Sequence, residues 1–278
     1  MIPPSFTYKR ASSVDEALSL AAEHGEDAKY LAGGHSLLPL MKLRFAAPEV
    51  LIDIGRIASL SYITDAGTHV AIGALTRHHD VASSALLNAD IPLLAHTAGE
   101  VGDPQVRHRG TIGGSVAHGD AASDLPASLL ALGASFVIRG ASGSRTVAAA
   151  EFFQGIFETA IEPGELLTEI QVPKPAHPNA WSFQKFTKRA LDWAIVGVAV
   201  QGGGASQTCV ALVNMGSTPL RASAVEAALA SGASVADAAA RAAEGTSPGS
   251  DIHASAEYRE HLARVLTARA LTEAAGRG

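Results

Sequence analysis

Two glycine-rich segments constrain the fold of this chain more than any other feature. LAGGHSLLPL, residues 31–40, puts a Gly-Gly pair between a strand-like and a helix-like apolar segment, and GTIGGS, residues 110–115, has the same local character. Glycine costs backbone entropy, so such positions usually need a positive φ or a close approach of a ligand to the main chain. Each segment can form a concave nest of backbone N–H groups, and each ends in a hydroxyl, Ser36 or Ser115. Two such loops beside one α/β core match the two phosphates of a dinucleotide.

The two loops do not fit the common nucleotide motifs. No G-x-G-x-x-G follows a first strand with an acidic residue at the expected distance, so the segments are not a Rossmann fingerprint. Neither glycine pair is followed by Lys-Ser or Lys-Thr, which excludes a P-loop. Gly-Gly pairs are also common in ordinary turns, and it is the occurrence of two on one core that favours a ligand.

Composition excludes several classes of partner. The chain has 278 residues with a formal net charge of −6 and no basic block, so nothing in it attracts nucleic acid. The longest nearly uncharged apolar segment, residues 127–138, is too short for a transmembrane helix and is interrupted by Gly133. Prolines occupy the N-terminus where a signal peptide would need an apolar core. We therefore predict a cytoplasmic protein without a transmembrane segment.

Cysteine usage limits the redox chemistry that this chain can support by itself. Cys209 is the only cysteine. A single cysteine excludes an internal disulfide, a cysteine-based zinc site and an iron–sulfur cluster held by this chain alone.

Hydrophobic periodicity and the positions of turn residues predict three consecutive structural units. A capping box at Ser13–Glu16 starts a helix, a strand and the first glycine loop follow, and residues 50–54 form a buried strand. Residues 101–124, rich in glycine, histidine and aspartate, are predicted to be a long irregular loop. The proline-rich segment 172–180 is the predicted linker before three antiparallel strands and alanine-rich helices. The resulting domains are an N-terminal α/β unit at 1–55, a second unit at 56–175 and a C-terminal sheet-and-helix domain at 176–278.

Several side chains allow both a functional and a structural interpretation. The histidines near residues 78–80 and 108–120 could ligate a metal, but polar loop residues are the better interpretation. Asp124 can cap the following helix or accept hydrogen bonds from ligand hydroxyls. Lys185 is a solvated strand residue or a cation that stabilises negative charge on a reduced cofactor. Trp193 is a core residue or stacks on a planar ligand. No G-x-S-x-G elbow for a hydrolase is present.

Longer motifs resemble a known family. The sequence strongly resembles the FAD-binding medium subunits of molybdenum hydroxylases, the xanthine dehydrogenase family, and within it the carbon monoxide dehydrogenase type. The segments that carry the resemblance are AGGHS at 32–36, DPQ at 103–105, TIGGS at 111–115, SD at 123–124, EPGELL at 162–167 and LDWA at 191–194. This resemblance implies an α+β fold: a two-subdomain FAD-binding domain of the vanillyl-alcohol-oxidase type, followed by a three-stranded antiparallel sheet with helices.

The resemblance also implies a non-covalent FAD site. The glycine loops would wrap the pyrophosphate, Asp124 would serve the ribityl chain, Leu167 would pack near the isoalloxazine, and Lys185 and Trp193 would lie beside the ring. Two positions depart from the family pattern: Ser115 stands where asparagine is common, and Trp193 where tyrosine is common. The residues so implied are Ala32, Gly33, Gly34, His35, Ser36, Leu37, Thr111, Ile112, Gly113, Gly114, Ser115, Asp124, Leu167, Lys185 and Trp193.

By the same resemblance, this chain holds no catalytic residue and no metal of its own. A large subunit would carry the molybdenum cofactor, a small subunit two [2Fe-2S] clusters, and the complex would be a dimer of heterotrimers. Electrons would reach FAD here and leave to an acceptor such as a quinone, with a peripheral position at the inner face of the membrane left open. Two other functions compete: a stand-alone FAD-dependent oxidase of a small organic substrate, and a nucleotide-binding module without redox function.

Overall fold

Three sheets follow one another along the chain in the computed structural model, which describes residues 2–202 and 207–277. The first sheet is parallel, and the other two are antiparallel. Helices cover the faces of these sheets, and a two-stranded ribbon completes the strands of the described ranges.

The N-terminal unit is a small parallel α/β layer. Its elements are β1 (Thr7–Arg10), α1 (Val14–His24), β2 (Ala28–Leu31), α2 (Leu37–Leu43) and β3 (Val50–Asp53). The sheet order is β1-β3-β2, so β3, whose first three residues are apolar and buried, lies in the middle. The first glycine loop leaves the carboxyl end of β2, where ligands bind in parallel α/β sheets. Ser13 caps α1 by accepting from the Glu16 amide at 3.1 Å, but the Glu16 carboxylate accepts from Ser12 rather than from Ser13.

The middle unit combines an antiparallel sheet of order β4-β5-β10-β6-β7 with short helices. The central strand β10 pairs with β5 and β6, which are distant in sequence. Its elements are β4 (Ile63–Asp65), β5 (His69–Gly73), α3 (His78–Ser83), α4 (Ala85–Asp90), α5 (Pro92–Gly99), α6 (Pro104–Arg107), α7 (Ile112–His118), α8 (Asp124–Ala131), β6 (Ser135–Gly140), β7 (Gly143–Ala148), α9 (Ala149–Phe152), β8 (Phe153–Gly155), β9 (Glu158–Thr159) and β10 (Leu166–Pro173).

The C-terminal unit is a meander packed against helices. Its elements are β11 (Trp181–Phe186), β12 (Val196–Gln201), β13 (Cys209–Val213), β14 (Leu220–Arg221), α10 (Ser223–Ala230), α11 (Val235–Ala240) and α12 (Ala256–Arg277). The three predicted strands are present, and β14 adds a two-residue fourth strand at the edge of the sheet.

One hydrophobic core crosses from the middle unit into the C-terminal unit. Phe183 and Val213, on the C-terminal sheet, share it with Leu93 and Leu129, on α5 and α8. A second core lies between that sheet and α10 to α12, and a third packs the N-terminal unit against Leu60, Leu75 and Leu166 of the middle unit. The shared core fixes the C-terminal unit beside the ligand-facing end of α8.

The structure corrects two local predictions. Residues 101–124 are not a long irregular loop, because α6 and α7 form there with side-chain caps from Asp103 and Thr111. Asp124 is the first residue of α8 and not its N-cap, a position held by Ser123. Among the helices of the described ranges, none has the length and apolarity needed to cross a membrane.

Candidate functional site

A single large cleft of about 1060 Å³ opens where the three units meet. This volume lies at the upper limit of ordinary ligand pockets, roughly 300–1,000 Å³, as an extended ligand requires. Two wall segments dominate it, and we name them by their residues: the first wall is 32–37, and the second wall is 110–124. Fourteen of the fifteen predicted site residues line the cleft. The exception is Ile112, whose side chain is fully buried in the core on the inner face of α7.

The first wall presents unused hydrogen-bond donors. Within the described ranges, the backbone N–H groups of Gly33, Gly34, His35 and Ser36 have no protein acceptor. Gly34 has φ = 77°, a left-handed conformation that glycine adopts without steric cost. Consecutive free amides around a left-handed residue form an anion-binding concavity.

The second wall has the same motif but uses its amides internally. The N–H groups of Ile112 and Gly113 donate to Thr76 and Ala74 carbonyls at 3.0 and 2.9 Å. Those of Gly114 and Ser115 donate to the Thr111 hydroxyl and carbonyl at 3.1 and 3.0 Å. The second wall therefore offers the Ser115 hydroxyl, for which the described residues contain no hydrogen-bond partner, rather than a row of amides.

Glycine brings the two walls into direct contact. A Cβ at Gly33 would lie 2.9 Å from the Gly110 Cα and closer still to the Arg109 carbonyl oxygen. A Cβ at Gly113 would lie 2.5 Å from both the Cβ and the carbonyl oxygen of Ala74. Real Cβ atoms do not approach this closely, so Gly33 is required for the walls to meet and Gly113 is required for the second wall to pack on Ala74.

A buried ion pair also lines the cleft. Lys185 Nζ is 2.7 Å from Asp124 Oδ2 and also donates to the Glu100 carbonyl at 3.0 Å. Asp124 is only 7% exposed, and burial raises its pKa to about 6 in spite of the opposing lysine. Its other oxygen, Oδ1, is buried and has no protein partner in the described ranges. A free carboxylate oxygen on the cleft wall can accept a hydrogen bond from a ligand hydroxyl.

The mouth of the cleft is apolar and exposed. Trp193 is 60% exposed and Leu191 61%, so Trp193 is not the core residue that its structural interpretation predicts. Phe157, between β8 and β9, has φ = 58° and stacks on His118 with ring centroids 4.9 Å apart. Leu167 is buried in the cleft wall on β10.

Three further features of the cleft were not predicted from the sequence: the Tyr30 hydroxyl, and the lowered pKa values of His78, which was considered only as a metal ligand or a polar loop residue, and of the predicted site residue His35. Burial lowers the pKa of His78 to about 4, so this histidine is neutral near pH 7, and its Nδ1 has no partner in the described ranges. Burial also raises the pKa of Tyr30 to about 12, and its hydroxyl is likewise buried and unpartnered. Tyr30 lies on β2 and directly precedes the first glycine loop. This position in the sequence is the feature that could have identified it as a cleft residue. His35 also has a lowered pKa, first through burial and then through the positive charge of Arg109.

These features satisfy the requirements of an FAD site. The first wall has N–H groups without an acceptor in the described ranges, glycine permits close approach, and Asp124 Oδ1 is an acceptor without a partner there. Together with the two-subdomain fold, they define a flavoprotein of the vanillyl-alcohol-oxidase type.

Comparison with known proteins identifies the family. Residues 4–175 match the family model "FAD binding domain in molybdopterin dehydrogenase", and residues 181–274 match "CO dehydrogenase flavoprotein C-terminal domain". The chain belongs to this family of molybdopterin dehydrogenase flavoproteins and is an oxidoreductase flavoprotein subunit of the carbon monoxide dehydrogenase medium-chain type. The family and fold predicted from the sequence are thereby confirmed.

Two relatives and one solved structure illustrate how far the likeness extends. The chain is 44% identical to the carbon monoxide dehydrogenase medium chain of Hydrogenophaga pseudoflava, over 99% of this chain and 98% of that one. It is 39% identical to the 6-hydroxypseudooxynicotine dehydrogenase complex subunit alpha of Paenarthrobacter nicotinovorans, over 99% and 96%. A solved structure of the H. pseudoflava carbon monoxide dehydrogenase, lacking the Mo-pyranopterin moiety of the molybdenum cofactor, matches with a TM-score of 0.96, 46% identity and coverage of 100% and 99%.

Proposed function

We propose that this chain is the electron-transfer subunit of a molybdenum-containing hydroxylase and holds FAD across the two walls. The observation that carries the proposal is that one cleft holds four first-wall amides and an Asp124 oxygen, all without a partner among the described residues. The amides suit a pyrophosphate, and the carboxylate oxygen suits a hydroxylated chain that leads to a ring.

Each cleft residue has a proposed role toward the cofactor. The amides of 33–36 and the hydroxyl of Ser115 donate to phosphate oxygens, and Asp124 accepts from a ribityl hydroxyl. Lys185 holds a positive charge beside the ring, while Leu167 and Trp193 contact its faces or edge. Bound FAD supplies reversible two-electron chemistry that is divisible into single-electron transfers.

The proposed complex divides the reaction among three chains. A large subunit with the molybdenum cofactor oxidises the substrate, a small subunit with two [2Fe-2S] clusters delivers electrons to this chain, and an acceptor such as a quinone removes them. Cys209 alone cannot ligate a cluster, which supports a separate iron–sulfur partner. We further propose a dimer of such heterotrimers in the cytoplasm. Because relatives of similar sequence act on different substrates, the substrate class belongs to the large subunit.

The test is purification from cells that express this chain together with its genomic neighbours. We expect flavin bands in the visible spectrum, and released FAD, iron and molybdenum that co-purify with a small and a large chain. Flavin without partners, bleached when a small alcohol or aldehyde is added to the isolated chain, would instead indicate a stand-alone oxidase. A colourless chain that shows no flavin spectrum after FAD addition would indicate a binding module without redox function.

A further inference from the structure

Asn214 has an uncommon backbone conformation at the junction of two domains. It follows directly after β13 and has φ = 61°. The left-handed region is rare for residues other than glycine, although asparagine tolerates it better than most. Such a conformation persists when surrounding interactions determine it. The contacts of Asn214 therefore indicate which parts of the structure it connects.

The main chain and side chain of Asn214 join two segments of the cleft. Its amide N–H donates to the Ala121 carbonyl at 2.8 Å. Its side-chain Nδ2 donates to the Ala194 carbonyl at 2.9 Å and to the Ile195 carbonyl at 3.3 Å. Ala121 lies three residues before Asp124, and Ala194 directly follows Trp193. One residue therefore fixes the distance between the segment that carries Asp124 and the segment that carries Trp193.

A second side chain donates to the same segment. Arg259, on α12, is 3% exposed and donates from Nη1 to the Ile195 carbonyl at 2.5 Å. Its Nη2 is 2.7 Å from Asp251 Oδ2. The Ile195 carbonyl thus accepts from Arg259 and from Asn214, so two side chains hold the backbone that directly follows the exposed Trp193.

We infer that Asn214 is a positioning residue for the flavin ring. It sets where the Trp193 side chain stands relative to the Asp124–Lys185 pair, and it touches neither the cofactor nor a substrate. This inference rests on the proposed function, because it concerns the same cleft. Neither the glycine loops nor the predicted site residues point to Asn214, which lies in the C-terminal domain.

The experiment compares matched variants in the complex purified with its partner chains. Asn214→Asp replaces the side-chain donor by an oxygen that faces two carbonyls, and Asn214→Gly keeps the left-handed backbone but removes the side chain. Asn88→Asp is the control. Asn88 lies on α4, away from the cleft, and its Nδ2 also donates to two carbonyls, those of Ala82 and Ser84. The readouts are FAD affinity, flavin fluorescence and midpoint potential, and thermal unfolding.

We expect both Asn214 variants to bind FAD about tenfold more weakly, because the Trp193 segment is then no longer held in place before FAD binds. Flavin fluorescence should rise and the midpoint potential should move, whereas Asn88→Asp should leave all three flavin readouts unchanged. In a Trp193→Ala background, Asn214→Gly should cause no further change in fluorescence or potential, because Asn214 acts through Trp193.

Two results would overturn the inference. One is a lowered melting temperature with unchanged flavin readouts, which would make Asn214 a stabilising residue only. The other is an undiminished effect of Asn214→Gly in the Trp193→Ala background, since the action would then not pass through Trp193. A wild-type complex without flavin bands contradicts the proposed function itself, and this outcome is recognised before any variant is measured.

Discussion

The two walls of the cleft share a glycine motif and use it for different purposes. On the first wall, residues 32–37, four consecutive amides have no protein acceptor in the described ranges, and Gly34 adopts a left-handed conformation. On the second wall, residues 110–124, the amides are used within the fold and Gly113 packs directly against Ala74. The first wall leaves its donors available, as the proposed FAD site requires, and the second provides close packing between segments.

The comparison teaches that a Gly-Gly pair followed by a hydroxyl does not by itself identify a nest. What distinguishes the two loops is the position of the next helix. The second loop lies inside α7, whose first turn faces the Ala74 and Thr76 carbonyls. The first loop precedes α2, and Ser36, at the N-cap position, makes no side-chain cap. The two walls should therefore respond differently to substitution.

The largest expected effect is on folding at the second wall. Gly113→Ala would place a Cβ 2.5 Å from Ala74, and such overpacking costs about 3 kcal/mol or more of unfolding free energy. Gly99→Ala is the matched control, because no atom lies within 4 Å of its Cβ position. Denaturant unfolding of the two variants measures the difference. Equal stability of Gly113→Ala and the wild type would show that the second wall is not closely packed.

The next largest effect is a pH dependence of folding stability, caused by Asp124 on the second wall. Burial raises the pKa of Asp124 from 3.8 to about 6, so the folded state binds a proton that the unfolded state releases. Asp124 therefore lowers stability as pH rises from about 4 to 6, by roughly 3 kcal/mol in total. His78 contributes the opposite slope, because its pKa is lowered from 6.5 to about 4.

The Asp124 contribution is isolated as a difference between the wild type and Asp124→Asn. The unfolding free energy of both proteins is measured from pH 4 upward. The difference between the two proteins should change between pH 4 and pH 7 and should be constant at higher pH. A pH-independent difference would mean that the Asp124 carboxyl titrates near its ordinary value.

A smaller effect on stability, with a clear effect on binding, is expected at the first wall. Gly34→Ala forces a Cβ into the left-handed region at a cost of about 1–2 kcal/mol and disturbs the row of free amides. FAD affinity should fall at least about tenfold. Gly67→Ala has comparable backbone strain at φ = 85° in a turn away from the cleft, so its FAD affinity should be unchanged. Fluorescence titration with FAD measures the affinity of both variants. Equal affinities would show that the first wall does not donate hydrogen bonds to FAD.

The smallest effect compares the two hydroxyls. Ser115→Ala removes the free donor of the second wall and should weaken FAD binding by about 1 kcal/mol. Ser36→Ala should cost less, because neighbouring amides on the first wall remain. The same titration measures both variants, and a larger loss for Ser36→Ala would reverse the assignment of donors.

Sequence patterns located the parts of the site that depend on local chemistry. The glycine loops, α1, α2 and the C-terminal strands follow from caps, periodicity and turn residues. Residues 101–124 were misjudged because a helix of four residues and one containing Gly-Gly have low intrinsic propensity. The caps Asp103 and Thr111 were readable, and Asp103-Pro104 is an ordinary helix start.

Contacts between distant segments could not be read from the sequence. Asp124 and Lys185 are 61 residues apart in the sequence and form an ion pair. Because of this pairing, neither side chain is solvated as it would be on an ordinary surface. The use of second-wall amides depends on Ala74 and Thr76, which lie more than 30 residues away. Asn214 follows an unremarkable strand, and only its conformation and its three acceptors distinguish it.

The core that crosses from α5 and α8 into the C-terminal sheet has an evolutionary consequence. A gene break or recombination point in the proline-rich segment at 172–180 would separate Phe183 and Val213 from Leu93 and Leu129. Each half would then expose an apolar face in water, with the attendant tendency to aggregate. We therefore expect exchange between related genes to transfer both halves together, so that the two domains share one ancestry even though a proline-rich connection joins them.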